Sequence, residues 1–199
     1  MGTEKTKLSV EFAKKLTKRF KVGLDKFRIA IAKYDKGQDL LMSLRDSVSN
    51  LDVLKKLDTI VYEDGAGTLT GRALEFVAKN VLNKFGYQGD RVTVPDVIVL
   101  VTDGKSYDDP EIISMQLHDR HIKIIVIGIG PNAYEPQLHR IASVPGEFIL
   151  TRSKLLTHFI QVDENTFKFD SYADLAKDKN IRTIAAQVKQ QCFMAKGEV

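Results

Sequence analysis

The sequence predicts a single α/β domain built on a doubly wound, mostly parallel sheet with helices on both faces. Two short and wholly apolar runs, residues 97–102 and 122–129, are typical of strands buried on both faces. Amphipathic segments with helical spacing alternate with these runs, which indicates a parallel sheet covered on both sides. A length of 199 residues suits one domain, and we find no internal repeat or linker, so residues 1–199 are expected to form one unit.

The first half of the chain contains three predicted helices and one predicted strand. Residues 27–34, FRIAIAKY, are apolar on both alternating faces and predict a buried parallel strand. Further helices are expected at about 47–57 and at 70–85. The earliest helix, residues 8–20, repeats an apolar residue every four positions, at Leu8, Phe12, Leu16 and Phe20.

The second half continues the alternation. After the strand at 97–102, residues 109–111 (Asp-Pro-Glu) have the composition of a helix start, with a cap, a first-turn proline and an acidic residue. The next strand is expected at 122–129, and a short helix follows Pro136. The last long helix is predicted at about 172–192.

Composition excludes several classes of protein. The 30 Lys and Arg residues against 26 Asp and Glu give a net charge of only +4, and they form no concentrated basic stripe of the kind that binds nucleic acid. The apolar runs are far shorter than the roughly 20 residues of a membrane-spanning helix. The first residues lack the apolar segment of a signal peptide. A single cysteine excludes an internal disulfide and a multi-cysteine zinc site.

Candidate site residues follow two parts of the predicted sheet. Asp103 comes directly after the strand at 97–102, and residues 65–71 form a glycine-rich loop with hydroxyl groups ahead of a helix. Ligands of open parallel sheets bind outside the carboxyl ends of the strands. Carboxylate and hydroxyl oxygens suit a hard cation such as Mg²⁺. The nearby acidic pairs at 63–64 and 108–109 are interpreted as solvated loop charges.

Four segments, in this order and spacing, resemble the von Willebrand factor type A domain of extracellular matrix and adhesion proteins. They read GAGTLTGRAL, VPDVIVLVTDGKSYDDP, IKIIVIGIG and FKFDSYADL. The resemblance implies a metal-ion-dependent adhesion site (MIDAS), where a metal, usually Mg²⁺, bridges to an acidic residue of a protein ligand. By position, Thr68 corresponds to the hydroxyl ligand of the second loop. Asp103 corresponds to the carboxylate of the third loop, which often acts through water.

The chain also departs from the family pattern. The Asp-x-Ser-x-Ser motif that ends the family's central first strand is absent, so we expect an N-terminally truncated domain that lacks this strand. A site with only Thr68 and Asp103 should bind Mg²⁺ weakly or not at all. Residues 148–164 are expected to be an insertion before the last strand. In extracellular members a cysteine at the position of Cys192 often pairs with one ahead of the first strand.

The expected function is therefore a non-enzymatic, protein-binding module of the adhesion type with an incomplete metal site. The expected partner is a protein, with collagen, another matrix protein and self-association all compatible, and the expected location is extracellular, within a longer secreted protein. One alternative is an intracellular scaffold domain of a large complex, which the single cysteine suits. A second alternative is a hydrolytic or nucleotide-dependent enzyme that uses Asp103, but no nucleophile or base is evident beside it.

Three other sequence patterns resemble binding motifs but lack a required feature. Residues 104–106, Gly-Lys-Ser, resemble the end of a phosphate-binding loop, but that motif needs a glycine where Val99 stands. Residues 128–133 match a dinucleotide fingerprint, but a proline and a late helix start spoil the strand–turn–helix geometry. His118 and His121 have the spacing of metal ligands, yet no third ligand is evident, and surface positions are expected.

Overall fold

The computed structural model describes residues 3–61, 67–82, 88–91, 93–142 and 165–194, and strands and helices alternate along them. The N-terminal half contains α1 (Thr3–Thr17), β1 (Ile31–Tyr34), β2 (Gln38–Met42), α2 (Asn50–Asp58) and α3 (Thr70–Asn80). The C-terminal half contains β3 (Val97–Thr102), α4 (Glu111–Asp119), β4 (Lys123–Ile129), α5 (Glu135–Ile141), β5 (Thr166–Phe169), α6 (Tyr172–Leu175) and α7 (Asp178–Met194). No helix among these residues is long and apolar enough to cross a membrane.

The strands form two separate ladders within the described ranges. β3, β4 and β5 make a parallel three-stranded sheet in that order, with Val97 opposite Lys123 and Val126 opposite Thr166. β1 and β2 make an antiparallel hairpin, with Tyr34 opposite Gln38. The parallel sheet agrees with the predicted doubly wound architecture.

β4 lies at the centre of the core and sends alternate side chains to opposite faces. Ile124 and Val126 pack with residues of α3, α4 and α5 on one face. Ile127 and Ile129 pack with residues of α1, α6 and α7 on the other face. All four side chains are at most 2% exposed, so a run without polar residues is what this position requires.

An apolar groove of 830 Å³ lies between β1 and β3. We call it the central groove. It is lined by both strands and by residues of α1, α3 and α7, among them Phe12, Ala30, Val77, Val99, Val101 and Cys192. The groove explains why the strand at 97–102, expected to be buried on both faces, is only half-buried at four of its six positions.

Several predicted elements need correction. The predicted buried parallel strand at 27–34 is wrong in length and pairing, since β1 has only four residues and pairs antiparallel with β2. The predicted helix at 172–192 is two helices, because α6 ends at Leu175 and a new helix begins at Asp178. The expected insertion at 148–164 lies outside the described residues.

The other predicted helices are shifted rather than absent. α1 begins and ends earlier than the predicted 8–20, and α2 begins at Asn50, after a Ser49 side chain that accepts a hydrogen bond from the Asp52 backbone N–H. The helix expected at 70–85 ends at Asn80. The strand at 97–102 has the predicted bounds.

Candidate functional site

Asp103 lies at the carboxyl end of β3, where it pairs with a lysine from the first helix. Its Oδ2 atom is 3.0 Å from Nζ of Lys5. The Asp103 side chain is 18% exposed and that of Lys5 is 52% exposed. A partly buried carboxylate thus already has a cationic partner from within the chain.

Thr68 lies next to this position, in the segment that leads into α3. A Cβ atom placed on Gly104 would be 3.5 Å from the Thr68 Oγ1 atom, so the two loops are in contact. The Thr68 carbonyl accepts a hydrogen bond from the Tyr107 N–H at 2.9 Å. Thr68 and Asp103, both singled out from the sequence, therefore lie at the same edge of the sheet and line the same end of the central groove.

A buried hydrogen-bond network around Ser106 fixes this edge. The Ser106 hydroxyl accepts from the Thr70 N–H at 2.9 Å and donates to the Asp108 carboxylate at 2.6 Å. The Ser106 N–H donates to the Gln137 side-chain carbonyl at 2.8 Å. These bonds connect the loop after β3 with the start of α3 and with α5.

The interpretation of Asp108 as a solvated loop charge is wrong. Its carboxylate accepts from the N–H groups of Gly71 at 2.9 Å and Arg72 at 2.8 Å, which are free donors of the first turn of α3. Partial burial on its own would raise the pKa of Asp108, but the hydrogen bonds from Ser106, Gly71 and Arg72 outweigh it and lower the pKa. Asp108 thus caps α3 from a distant loop.

Two tyrosine hydroxyls also point to this edge. Tyr34 Oη, at the end of β1, donates to the Val101 carbonyl of β3 at 3.3 Å, so its side chain crosses the central groove. Burial raises the pKa of Tyr34, and the Asp103 and Asp108 carboxylates add to the effect. Burial, followed by the charge of Asp103, also raises the pKa of Tyr172, whose hydroxyl is buried. Both phenols stay protonated at neutral pH.

The oxygen donors at this edge do not by themselves fit a resident divalent cation. Hard cations take six or more oxygen ligands, and Thr68 and Asp103 supply one hydroxyl and one carboxylate. That carboxylate is already paired with Lys5. Within the described part of the chain, no cluster of three or more His, Cys, Asp or Glu residues could hold a metal. The acidic pair at 63–64 lies outside those residues.

Sequence reasoning missed Lys5, Tyr34, Ser106 and Gln137. Ser106 could have been found from its place three residues after Asp103. No local pattern marks Lys5 or Tyr34, because the fold brings them in from other elements.

Of the two histidines with the spacing of metal ligands, His121 is exposed as predicted. His118 is instead half-buried, and burial lowers its pKa.

Comparison with known sequences relates the chain to a domain family. A sequence profile of the von Willebrand factor type A domain matches residues 1–165. Human vitrin is 30% identical over 145 residues, covering 73% of this chain and 20% of vitrin. Human cochlin is 30% identical over 149 residues, covering 74% of this chain and 26% of cochlin. The mouse collagen alpha-4(VI) chain is 31% identical over 128 residues, or 64% of this chain and 6% of the collagen chain. The chain thus spans about a quarter or less of these relatives.

Solved structures share the fold. Proximal thread matrix protein 1 from the mussel byssus has a TM-score of 0.75 at 21% identity, covering 92% of this chain and 42% of that one. A further structure of this mussel protein has a zinc-occupied MIDAS motif, with a TM-score of 0.69, 23% identity and coverage of 90% and 40%. Manganese-loaded TRAP protein of Plasmodium vivax has a TM-score of 0.65 at 16% identity, with coverage of 88% and 63%.

Proposed function

The chain belongs to the von Willebrand factor type A family, and on that premise we propose that it is a non-enzymatic protein-binding module of the extracellular matrix. The names of its relatives support this proposal, since they include collagen chains and a thread matrix protein. The partner we propose is a matrix protein, with collagen as the first candidate. The location we propose is extracellular, as part of a longer protein.

The binding surface we propose is the edge formed by Thr68 and Asp103 at the carboxyl ends of the strands. Ligands of doubly wound folds bind at this edge. The Ser106 network ties three elements together behind it, so the surface is held in one arrangement before a partner arrives. The described side chains at this edge include no nucleophile paired with a general base, which favours binding over catalysis.

We further propose that the metal site is incomplete and that partner binding does not depend on a metal. The observation that carries this proposal is the ion pair between Lys5 and Asp103 at 3.0 Å. A divalent cation would have to displace the ammonium group and then fill most of its coordination shell with water. The zinc-occupied mussel protein and the manganese-loaded TRAP protein show that type A neighbours can hold a divalent metal, so metal binding by this chain is worth measuring directly.

Two measurements test the proposal. Titration calorimetry with Mg²⁺, Mn²⁺ and Zn²⁺ should show no submicromolar binding to the 199-residue chain. Binding to immobilised fibrillar collagen should be saturable, and it should be equal in about 5 mM Mg²⁺ and in about 5 mM EDTA, concentrations chosen to lie near or above typical dissociation constants of cation sites. Loss of collagen binding in EDTA would contradict the incomplete site.

Matched variants identify the surface. Asp103→Lys should reduce collagen binding, because it places a second cation beside Lys5 and breaks the ion pair. Asp119→Lys is the control, because Asp119 is an exposed aspartate at the end of α4. Equal binding by both variants would exclude the Asp103 edge as the binding surface.

A further inference from the structure

The net charge of +4 is not spread evenly over the surface. Residues 14–21, KKLTKRFK, contain five Lys and Arg residues and no acidic residue. Basic segments of about five to eight residues are typical of patches that bind heparin or nucleic acid. The sequence as a whole predicts no concentrated basic stripe, but this segment covers the end of α1 and the turn after it, and α7 packs beside it. The fold thereby extends the basic segment over a second helix.

Three cations at the end of α1 face the start of α7. Lys18 follows Lys15 by three residues and Arg19 follows it by four, which is the spacing of neighbours on a helix surface. Lys15 and Lys18 are exposed, and Arg19 is partly exposed. Nζ of Lys15 donates to the Ala176 carbonyl at 3.0 Å, and Arg19 pairs with Asp178. These two contacts fix the orientation of the basic side of α1.

α7 adds two more cations to the same surface. The Asp178 carboxylate pairs with Arg182 as well as with Arg19, so it holds the two guanidinium groups close together. Seven residues further along α7, Nζ of Lys189 lies 5.7 Å from the centre of the ring of Phe20, the residue that follows Arg19. Arg182 and Lys189 are two turns apart on one side of α7. The cations of the two helices therefore form one continuous row.

We call this row the basic ridge, and its cations greatly outnumber its anions. Asp178 is the one acidic side chain that pairs with any of its six cations in the described part of the chain. Within the same ranges, Lys18 and Lys21 make no ion pair, and both are exposed. Such uncompensated charge raises the local concentration of anions at a protein surface. The members of the ridge are Lys15, Lys18, Arg19, Lys21, Arg182 and Lys189.

The surroundings of the ridge favour a polysaccharide over a membrane surface or a nucleic acid. A helix that lies on a membrane presents a broad apolar face, but Phe12 and Leu16 of α1 pack in the core. Single-stranded nucleic acid stacks successive bases on several aromatic rings. Phe20 is only 8% exposed, so Phe193, which is one turn beyond Lys189 and 69% exposed, offers a single ring beside the row.

We propose that the basic ridge binds a sulfated polysaccharide of the heparin class. Sulfate groups are negative at physiological pH and repeat along the polymer, so one linear chain can contact α1 and α7 together. Arg19 and Arg182 keep further N–H donors after they pair with Asp178, and a guanidinium group donates in a planar fork that suits oxyanions. The choice of this polyanion over nucleic acid rests partly on the proposed extracellular location.

The ridge is separate from the proposed collagen surface. Lys5 pairs with Asp103, whereas the ridge begins at Lys15, ten residues or about 15 Å further along α1. Binding of a polysaccharide at the ridge therefore does not require Thr68 or Asp103.

Titration calorimetry with four probes tests the class of ligand. The probes are a heparin oligosaccharide of uniform length, the same oligosaccharide without its sulfate groups, duplex DNA of matched charge, and phosphatidylcholine vesicles that contain phosphatidylserine. We expect saturable heparin binding that weakens steeply as salt is raised, because neutralising a polyanion releases its counterions. The desulfated sugar should bind at least about tenfold more weakly. Tighter binding of DNA or of vesicles than of heparin would overturn the proposal.

Charge changes on both helices test the location. Lys18→Glu and Arg182→Gln should each weaken heparin binding several-fold and flatten its dependence on salt. Lys79→Glu is the matched control, because Lys79 is an exposed residue of α3, which packs on the opposite face of the sheet. Unchanged heparin affinity in the two ridge variants, or an equal loss in the control, would overturn the proposal.

The collagen assay separates this inference from the proposed function. Lys18→Glu should bind collagen as wild type does, and Asp103→Lys should retain heparin binding. If the wild-type chain binds heparin but not collagen, the proposed function fails and the ridge proposal stands. If it binds collagen but not heparin, the ridge proposal alone is overturned.

Discussion

Asp108 shows how a single side chain can hold two loops of the candidate site together. It lies five residues after Asp103 in the sequence, yet its carboxylate accepts the backbone N–H groups of Gly71 and Arg72. A Cβ atom at Gly71 would come within 2.7 Å of the Asp109 carbonyl oxygen, so only glycine allows this approach. The sequence TGRAL at the start of α3 and the sequence DDP ahead of α4 therefore belong to one structural unit.

Replacing Asp108 should destabilise the protein in a pH-dependent way. We expect Asp108→Ala to lower the free energy of unfolding by about 1–3 kcal/mol at pH 7, because two N–H groups lose their acceptor and the Ser106 hydroxyl loses the nearer of its two acceptors. Urea unfolding at several pH values measures this loss. Since folding lowers the pKa of Asp108, its contribution is present above the unfolded pKa of about 4 and is lost as the pH falls through the folded value.

The difference between wild type and Asp108→Ala should therefore shrink below about pH 4. Asp119→Ala, at an exposed position, is the control and should leave stability nearly unchanged. A difference that stays constant from pH 7 to pH 3 would mean that the carboxylate charge does not act in this way.

At the scale of the elements, the packing of the sheet depends on the apolar run of β4 and on the contact of β4 with α5. Gly128 permits this contact, since a Cβ atom there would be 2.3 Å from Cδ1 of Leu138 and 3.1 Å from Cβ of Ala133. The glycine that formally begins a dinucleotide fingerprint thus serves close packing between a strand and a helix.

Gly128→Ala should accordingly destabilise the protein by about 1–3 kcal/mol, because Leu138 and Ala133 are buried and must both move. Denaturant unfolding measures the effect. The control is Gly23→Ala, where the nearest atom would be at an ordinary contact distance of 3.5 Å and no loss of stability comes from overlap. Similar stabilities of the two variants would show that the α5 contact adapts freely.

The elements also show which local signals suffice for prediction. β3 has the predicted bounds, since an uninterrupted apolar run between polar turns admits few other structures. β2, QDLLM, was missed because it is short and lacks a clean alternation, and its pairing with β1 depends on the turn at Asp35 and Gly37. The break between α6 and α7 falls at residues 176–177, where the Asn180 side chain donates to the Asp174 carbonyl at 2.7 Å, and periodicity alone does not reveal it.

For the whole molecule, the two ladders should differ in stability. β4 is paired on both sides and covered on both faces, whereas β1 and β2 form a two-stranded hairpin beside the groove. Local opening requires fewer contacts to break in the hairpin. Amide hydrogen exchange should therefore be at least about tenfold faster in β1 than in β4. Equal protection of both strands would mean that the groove does not divide the fold.

The assembled fold also explains which residues of the candidate site could be predicted from the sequence and which could not. Thr68 and Asp103 were found because each follows or precedes a regular element in a family motif, and the fold brings their loops into contact. Lys5 and Tyr34 could not be found, because their roles depend on the distance between the two sheets and on the position of α1. That distance is a property of the assembled molecule and of no local segment.

α1 lies across both sheets, and this placement affects how the fold responds to force. Its C-terminal end is fastened by Asn50, which donates to the carbonyls of Thr17 and Phe20, and by the ion pair of Arg19 with Asp178. Its N-terminal end is held by the half-exposed Lys5. A tensile load applied at the N-terminal end of α1 would first break the exposed Lys5–Asp103 pair and would then have to pull the buried Phe12 out of the core beside β4.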